Sequence, residues 1–298
     1  MRRRELVTML PLDVKPPFSF ARTLEFISRF PAYRDACLLA PGQFTAAVAV
    51  GRTAHAFTLR EAAPGRVVVE LPDATPPRIQ RALLARAEHF IGATDDLEPL
   101  YSAAAGDEPF STLLAELHGL HHVRFLTLAD TVVYAILMQR AAMPAAAALK
   151  RRFLAGLGLP VAHAGHTLRA MPALAALAEL DESAIAAAIG HRLKAQRIAT
   201  AAREIHALGE PFLRTAPYEQ ARDALLEIDG IGPFAAAAIL LRGLGRMDAL
   251  PWMPQFARAA RTIYGREVSE STITRRYGRH IGYWSFYVMT GAGRRALH

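Results

Sequence analysis

Ile228-Asp229-Gly230-Ile231-Gly232-Pro233 is the stretch on which the reading of this chain turns. Upstream, Tyr218, Ala221, Leu225 and Ile228 recur at helical spacing; downstream, Phe234 to Leu244 form a second apolar run. Two helices therefore meet across a Gly-x-Gly turn. So abrupt a joint calls for positive φ at the glycines, and it lets the backbone come close to an outside group. Pro233 suits the first position of the second helix, where a missing N–H costs nothing. The N–H groups at such a helix start face outward with the positive end of the helix dipole. They can dock an anion such as a DNA phosphate. The same turn also serves as a plain connection in a helical bundle, and the motif alone does not separate the two.

The rest of the chain narrows the choice. Its 298 residues are 52% apolar, enough for one large or two smaller cores. Lys and Arg exceed Asp and Glu by eight, which favours a polyanionic partner through counterion release. No apolar run approaches the ~20 residues a bilayer span needs. Basic Met1 to Glu5 is followed too soon by Pro11 and Asp13 for a signal-peptide core. The expected location is the cytoplasm, in a bacterium the cytosol and nucleoid. The single Cys37 excludes an internal disulfide and a cysteine-built metal cluster.

An α+β fold is expected, divided into an N-terminal sheet domain, residues 1–97, and an α-helical domain, residues 98–298. In the first part a helix (Thr23 to Phe30) precedes strand-like runs at Phe44 to Val50, Thr53 to Arg60 and Arg66 to Leu71, an antiparallel sheet. Pro76 and Pro77 open an amphipathic helix to Ile91. After Asp95-Asp96 strand signals vanish almost entirely. Helical segments follow at Pro99 to Ala104, Phe110 to Leu117, Ala129 to Gln139, Pro144 to Leu157, Met171 to Leu177, Glu182 to Ile189, His191 to Leu208 and Tyr218 to Ile228. Beyond the hairpin come Gln255 to Tyr264 and a last helix near Gly282 to Met289.

With the hairpin, the downstream Gly245-Arg246-Met247-Asp248-Ala249-Leu250-Pro251 and a closing aromatic helix in this order, the chain resembles the helix-hairpin-helix DNA glycosylases. Among these it is most similar to the 3-methyladenine DNA glycosylase II branch, the alkylated-base repair enzymes. Ala135 to Gln139 looks like the family's apolar helix ending in glutamine, and His191 to Ala195 like its Lys-bearing helix. The resemblance covers nearly the whole chain. It implies base excision repair: a monomer without cofactor that binds double-stranded DNA, damaged or abasic, and extrudes the lesion into a pocket. Gly230, Ile231, Gly232, Pro233, Gln139 and Arg140 would touch DNA, with Arg140 at the family's wedge position or else a solvated surface charge. Phe234, Tyr287 and Trp284 match the pocket's aromatic walls, where a cationic alkylated purine would be held by stacking and cation–π attraction; the bland reading of Tyr287 and Trp284 is core packing. No structural metal is implied beyond an optional monovalent cation on the carbonyls of Ile228 and Ile231.

Two departures bear on chemistry. The family's catalytic aspartate falls on Met253 or Pro254, and from Ala249 to Arg266 there is no carboxylate at all. Loss of such a group typically costs on the order of 10²–10⁴-fold in rate. Asp248 matches an acid that caps or braces the loop. Where bifunctional relatives carry a Schiff-base lysine stand Phe234 and Ala235, so lyase chemistry has no nucleophile. The expectation is a DNA glycosylase homologue with weak or altered catalysis; the alternative is a non-catalytic module that binds damaged DNA. Lys194, Arg197, Arg203, Arg258, Arg261, Arg275, Arg276 and Arg279 are candidates for a DNA face, some of them ordinary solvated residues. The pairs His121-His122 and His163, His166 lack the acid or thiol that would complete a zinc site, and read as surface or helix-end residues.

Overall fold

Alternate side chains of the strands from Gln43 to Pro72 enter opposite faces of one sheet, and this two-residue period builds the N-terminal part. The structure is a computed structural model that describes residues 7–33, 36–63 and 65–296. The elements here are β1 (Val7–Leu12), α1 (Phe20–Arg29), β2 (Cys37–Ala40), β3 (Gln43–Val50), β4 (Thr53–Ala63), β5 (Arg66–Pro72) and α2 (Pro77–Ile91). The strands pair antiparallel in the order β1-β5-β4-β3-β2. Phe44, Val48, Phe57, Leu59, Val67 and Val69 pack beneath α2 through Leu83, Ala87, Phe90 and Ile91. The opposite face carries the small residues Ala47, Ala54 and Ala56.

That second face is covered by an element the sequence reading missed. Past α3 (Glu98–Ala103), α4 (Glu108–Glu116), α5 (Leu128–Leu137) and α6 (Met143–Leu157), the chain forms a hairpin of β6 (Leu159–His163) and β7 (His166–Ala170). Leu168 and Ala170 lie against Ala47, Ala54 and Ala56. The expectation that strands end after Asp96 is thereby corrected. The turn residues Ala164 and Gly165 both take positive φ, as a two-residue hairpin loop requires.

The remaining elements are α7 (Leu174–Ala178), α8 (Glu182–Ile189), α9 (Arg192–Leu208), α10 (Glu210–Thr215), α11 (Tyr218–Leu226), α12 (Pro233–Ala238), α13 (Pro254–Tyr264), α14 (Glu270–Tyr277) and α15 (Ile281–Arg295). Their apolar faces separate into two bodies. One holds Val132, Ile136, Phe153, Ile185, Ile198, Leu225 and Ile239. The other joins Leu100, Phe110 and Leu113 to Phe256, Ile263, Trp284 and Tyr287, so α3 and α4 pack with the last helices of the chain. α12 runs into a π-helical turn, Ile239–Gly243, that leaves Leu240 in the first body and Leu241 in the second. No helix among the described residues is long and apolar enough to cross a membrane.

His121 and His122 are fully buried, which corrects their placement at the surface. The His121 ring bridges the carbonyls of Gly92 (2.7 Å) and Pro17 (3.0 Å). Other buried polar groups tie the sheet part to the helices. Arg124 pairs with Asp95 at 2.5 Å, and the Tyr283 hydroxyl also donates to Asp95. Lys150 meets Asp130 at 2.7 Å and donates to the carbonyl of Ala32 at 2.9 Å.

Candidate nucleic-acid interface and base chamber

The turn between α11 and α12 is anchored by two buried side chains, Ile228 and Ile231, and closed by an Ile231 N–H donated to the Ile228 carbonyl at 2.9 Å. Gly230 has φ +84, and a Cβ there would stand 2.5 Å from Cγ of Arg197. Both backbone conformation and the close approach of Arg197 therefore demand glycine. Gly232 differs: its φ is −94, and an added Cβ would meet nothing within 4 Å. Positive φ thus explains the first glycine and not the second, while the open space at Gly232 leaves room for a group from outside. Pro233 opens α12, as its fixed φ favours, and no side chain caps that helix start among the described residues. The Ile228 carbonyl keeps one lone pair beyond the bond it accepts, so it can still serve a cation.

A polar network lashes the end of α5 to this turn. The Gln139 amide donates through Nε2 to the Gly230 carbonyl at 2.6 Å and accepts at Oε1 from Nη1 of Arg197 at 2.7 Å. Below it, Lys194 Nζ donates to the carbonyls of Leu137 (2.6 Å) and Gln139 (2.8 Å). Leu137 ends α5 and Gln139 follows its C-cap Met138, so the ammonium closes the helix end, where carbonyls lack intrahelical partners. Burial first, and the neighbouring Arg197 second, hold the Lys194 ammonium below its ordinary pKa. Lys194 is thus an internal cap of α5, which corrects its reading as a DNA-facing cation. Arg140, next in the chain, is exposed and takes φ +52, a conformation uncommon for a side chain with a Cβ. Phe234, one residue past Pro233, is 42% exposed.

The loop from Gly245 to Met253 returns the chain to α13. Arg246 holds both oxygens of Asp248 (3.1 and 2.9 Å), and its Nη1 reaches the carbonyls of Leu213 and Ala216. Asp248 braces the loop through this arginine. Met253 occupies the N-cap of α13 in extended conformation, with Pro254 at the first helical position, and the thioether makes no cap bond to the helix. Its Sδ accepts from the Gln255 amide at 3.4 Å.

Tyr287 and Trp284 are fully enclosed. The Tyr287 hydroxyl donates to the Leu120 carbonyl at 2.7 Å, and Nε1 of Trp284 donates to the Tyr264 hydroxyl at 3.1 Å. Burial, with the Asp107 carboxylate beside them, drives the Tyr264 and Tyr277 hydroxyls above their ordinary pKa. In this conformation no base reaches Tyr287 or Trp284, and of the three aromatic candidates Phe234 alone is exposed. An aromatic side chain that sequence reasoning passed over does reach the surface: Trp252, partly exposed, lies flat on Trp284 with centroids 5.8 Å apart and planes 17° from parallel. Its signal was a tryptophan in the Pro-bounded loop Pro251-Trp252-Met253-Pro254, at the position expected for the acid.

No family model matches the chain. Over 172 residues, 56% of its length, it is 28% identical to the probable bifunctional transcriptional activator/DNA repair enzyme AlkA of Mycobacterium tuberculosis. That match spans only 33% of the relative's length. The 3-methyladenine DNA glycosylase of Archaeoglobus fulgidus superposes with a TM-score of 0.80 at 20% identity, covering 98% of this chain and 100% of that one. The Clostridium acetobutylicum 8-oxoguanine glycosylase/lyase, in complex with double-stranded DNA containing cytosine opposite 8-oxoguanine, superposes with a TM-score of 0.72 at 13% identity over 94% and 93% of the two chains. The architecture read from the hairpin and its flanks is the one these glycosylases share.

Proposed function

We propose that this chain, which has the fold of the helix-hairpin-helix DNA glycosylases, is a DNA-repair protein of the alkylbase glycosylase type. It grips duplex DNA through the backbone of Gly230, Ile231, Gly232 and Pro233, fills the gap left by an extruded nucleotide with Arg140, and examines that nucleotide in a chamber bordered by Phe234 and by the loop ahead of α13. In this reading residues 1–97 form a sheet domain that supports a DNA-binding domain of residues 98–298, and the protein works as a monomer on chromosomal DNA in the cytosol. A monovalent cation on the carbonyls of Ile228 and Ile231 would offset the exposed Glu227 and Asp229 beside the phosphates.

The observation that carries the reading is the bond from Gln139 to the Gly230 carbonyl. It makes one rigid unit of the turn from Gly230 to Pro233 and a loop whose tip, Arg140, is held exposed in a left-handed conformation. Such a unit can hold a phosphate and insert a side chain in fixed register, which extrusion of a base requires. The planar guanidinium stacks on a base and pairs with phosphate, so arginine suits the gap.

Met253 at the head of α13 favours a second reading for the chemistry. With no carboxylate from Ala249 to Arg266, the protein would recognise damaged DNA and release bases slowly or not at all. Incubation with methylated duplex, with released 3-methyladenine and binding to abasic duplex measured side by side, separates the two. Rapid release establishes a glycosylase despite Met253, and tight binding without release establishes a damage-recognition module. Binding to neither duplex would defeat both readings.

A further inference from the structure

We propose that Trp252 is a stacking platform for an everted nucleobase, so that the chamber selects flat, extended purines by their π surface and not by their charge. The proposal rests on the reading of Leu250 to Gln255 as the rim of that chamber.

Trp252 is the exposed end of an aromatic column. It lies on Trp284, which lies on Tyr277 with centroids 6.2 Å apart and planes 29° from parallel. The deep end is pinned: the hydroxyls of Tyr264 and Tyr277 both donate to Oδ2 of Asp107, at 2.8 and 2.6 Å, and Trp284 donates to Tyr264. Trp284 and Tyr277 are buried, and Trp252 is partly exposed. A ring backed in this way is oriented before any ligand arrives, so little conformational freedom is lost when a base lands on it. The Gln255 amide lies beside the platform at Met253 Sδ and carries both a donor and an acceptor for a base edge.

Charge contributes little here. The rim and the helix after it, from Ala249 to Arg266, hold no carboxylate, and the first turn of α13 contains no acid. The ring's pull on a cationic base is opposed by the positive end of the α13 dipole. What remains is contact area, which a neutral purine enlarged by a fused ring supplies as well as a cationic one.

The test uses three labelled duplexes identical except at one position, which holds 1,N6-ethenoadenine, an abasic site or normal adenine. The full chain should bind the ethenoadenine duplex more tightly than the abasic one by roughly five- to 100-fold, the span measured for base–aromatic stacking. Trp252→Ala should bring that ratio toward one, and Trp252→Phe should keep most of it. The chain has two tryptophans and Trp284 is enclosed, so iodide quenching reports on Trp252 even if the alanine variant folds poorly. Protection of that emission by the ethenoadenine duplex and not by the abasic one supports the platform. An undiminished ratio in Trp252→Ala, or iodide access unchanged on binding ethenoadenine DNA, overturns it. Equal binding of all three duplexes by the wild type overturns it while leaving the hairpin grip intact. Binding of none removes the grip as well.

Discussion

The side-chain amide of Gln139 donates to the backbone carbonyl of Gly230 at 2.6 Å, bridging 91 positions in sequence. Arg197 completes the arrangement by donating to the other end of the same amide at 2.7 Å. Gln139→Ala removes both bonds and leaves a half-buried carbonyl and a guanidinium to find water. A loss of about 1–3 kcal/mol in stability is expected. Affinity for abasic duplex should fall by about tenfold, because Arg140 and the turn no longer share one register. The number of phosphates held is unchanged, so the slope of log affinity against log salt should stay as in the wild type. A flattened slope would mean that Gln139 organises the phosphate contacts themselves.

The two glycines of the turn should behave differently. Gly230→Ala combines positive φ with a Cβ 2.5 Å from Arg197, and a loss of about 2 kcal/mol or more in unfolding free energy is expected. Gly232→Ala faces open space in an ordinary conformation. It should melt near the wild-type temperature yet bind DNA more weakly, since its methyl group points where a phosphate would approach. Wild-type DNA affinity in Gly232→Ala would move the phosphate site off this turn.

The contrast also shows where sequence reasoning reaches its limit. Gly230, Gly232 and Pro233 announce the hairpin because backbone conformation is written in residue type. The alternation of Phe57 and Leu59 with Thr58 announces β4. β1 escaped notice because it is an edge strand that contains Pro11, which pairing rules tolerate there but propensity penalises. β2 is too short to show a period. The β6–β7 hairpin had alternating Leu159 and Val161 and an Ala164-Gly165 turn, but its role of covering the alanine face of β3 and β4 is tertiary. Lys194 is one step further from view: an exposed cation and a buried cap of carbonyls look the same in a string of letters. Tyr287 and Trp284 pose that problem for aromatics, since ring identity does not tell a chamber wall from the column behind Trp252.

Acid should unfold the protein through its buried histidines. Burial, then the charge of Arg124, lowers the His89 pKa to about 3. Burial, then Arg242 and Arg124, holds His122 well below its ordinary value, and neither of its ring nitrogens has a hydrogen-bond partner among the described residues. Unfolded, both residues titrate near ~6.5. The stability they contribute is full above about pH 6.5 and is lost as pH falls from there toward each lowered folded-state pKa, about 3 for His89, because the unfolded chain takes up protons the folded one refuses. Within that window each histidine costs up to about 1.4 kcal/mol per pH unit. Urea midpoints should therefore drop steeply below about pH 6. His122→Phe, which replaces one ring by another between Tyr283 and Phe286, should flatten that limb. An equally steep acid limb in the variant would assign it to other groups.

Met253 offers the sharpest test of the chemistry, because its backbone is already shaped for an acid. It takes φ −125 and ψ 153 at the N-cap of α13, the extended conformation from which an aspartate or asparagine side chain accepts N–H bonds of the first turn. Met253→Asp and Met253→Asn should both stabilise the protein by about 0.5–2 kcal/mol, seen as a rise of a few degrees in Tm, of the order of 2–4 °C per kcal/mol in a domain of this size. Only the aspartate adds a negative charge, and only a negative charge can stabilise an oxocarbenium-like transition state and help a water attack. Release of 3-methyladenine from methylated duplex should therefore rise on the order of 10²-fold in Met253→Asp and stay at the wild-type level in Met253→Asn. Equal stabilisation with equal, unchanged release would mean that the head of α13 does not face an extruded base. The loss of the acid would then be a matter of helix capping, without bearing on catalysis.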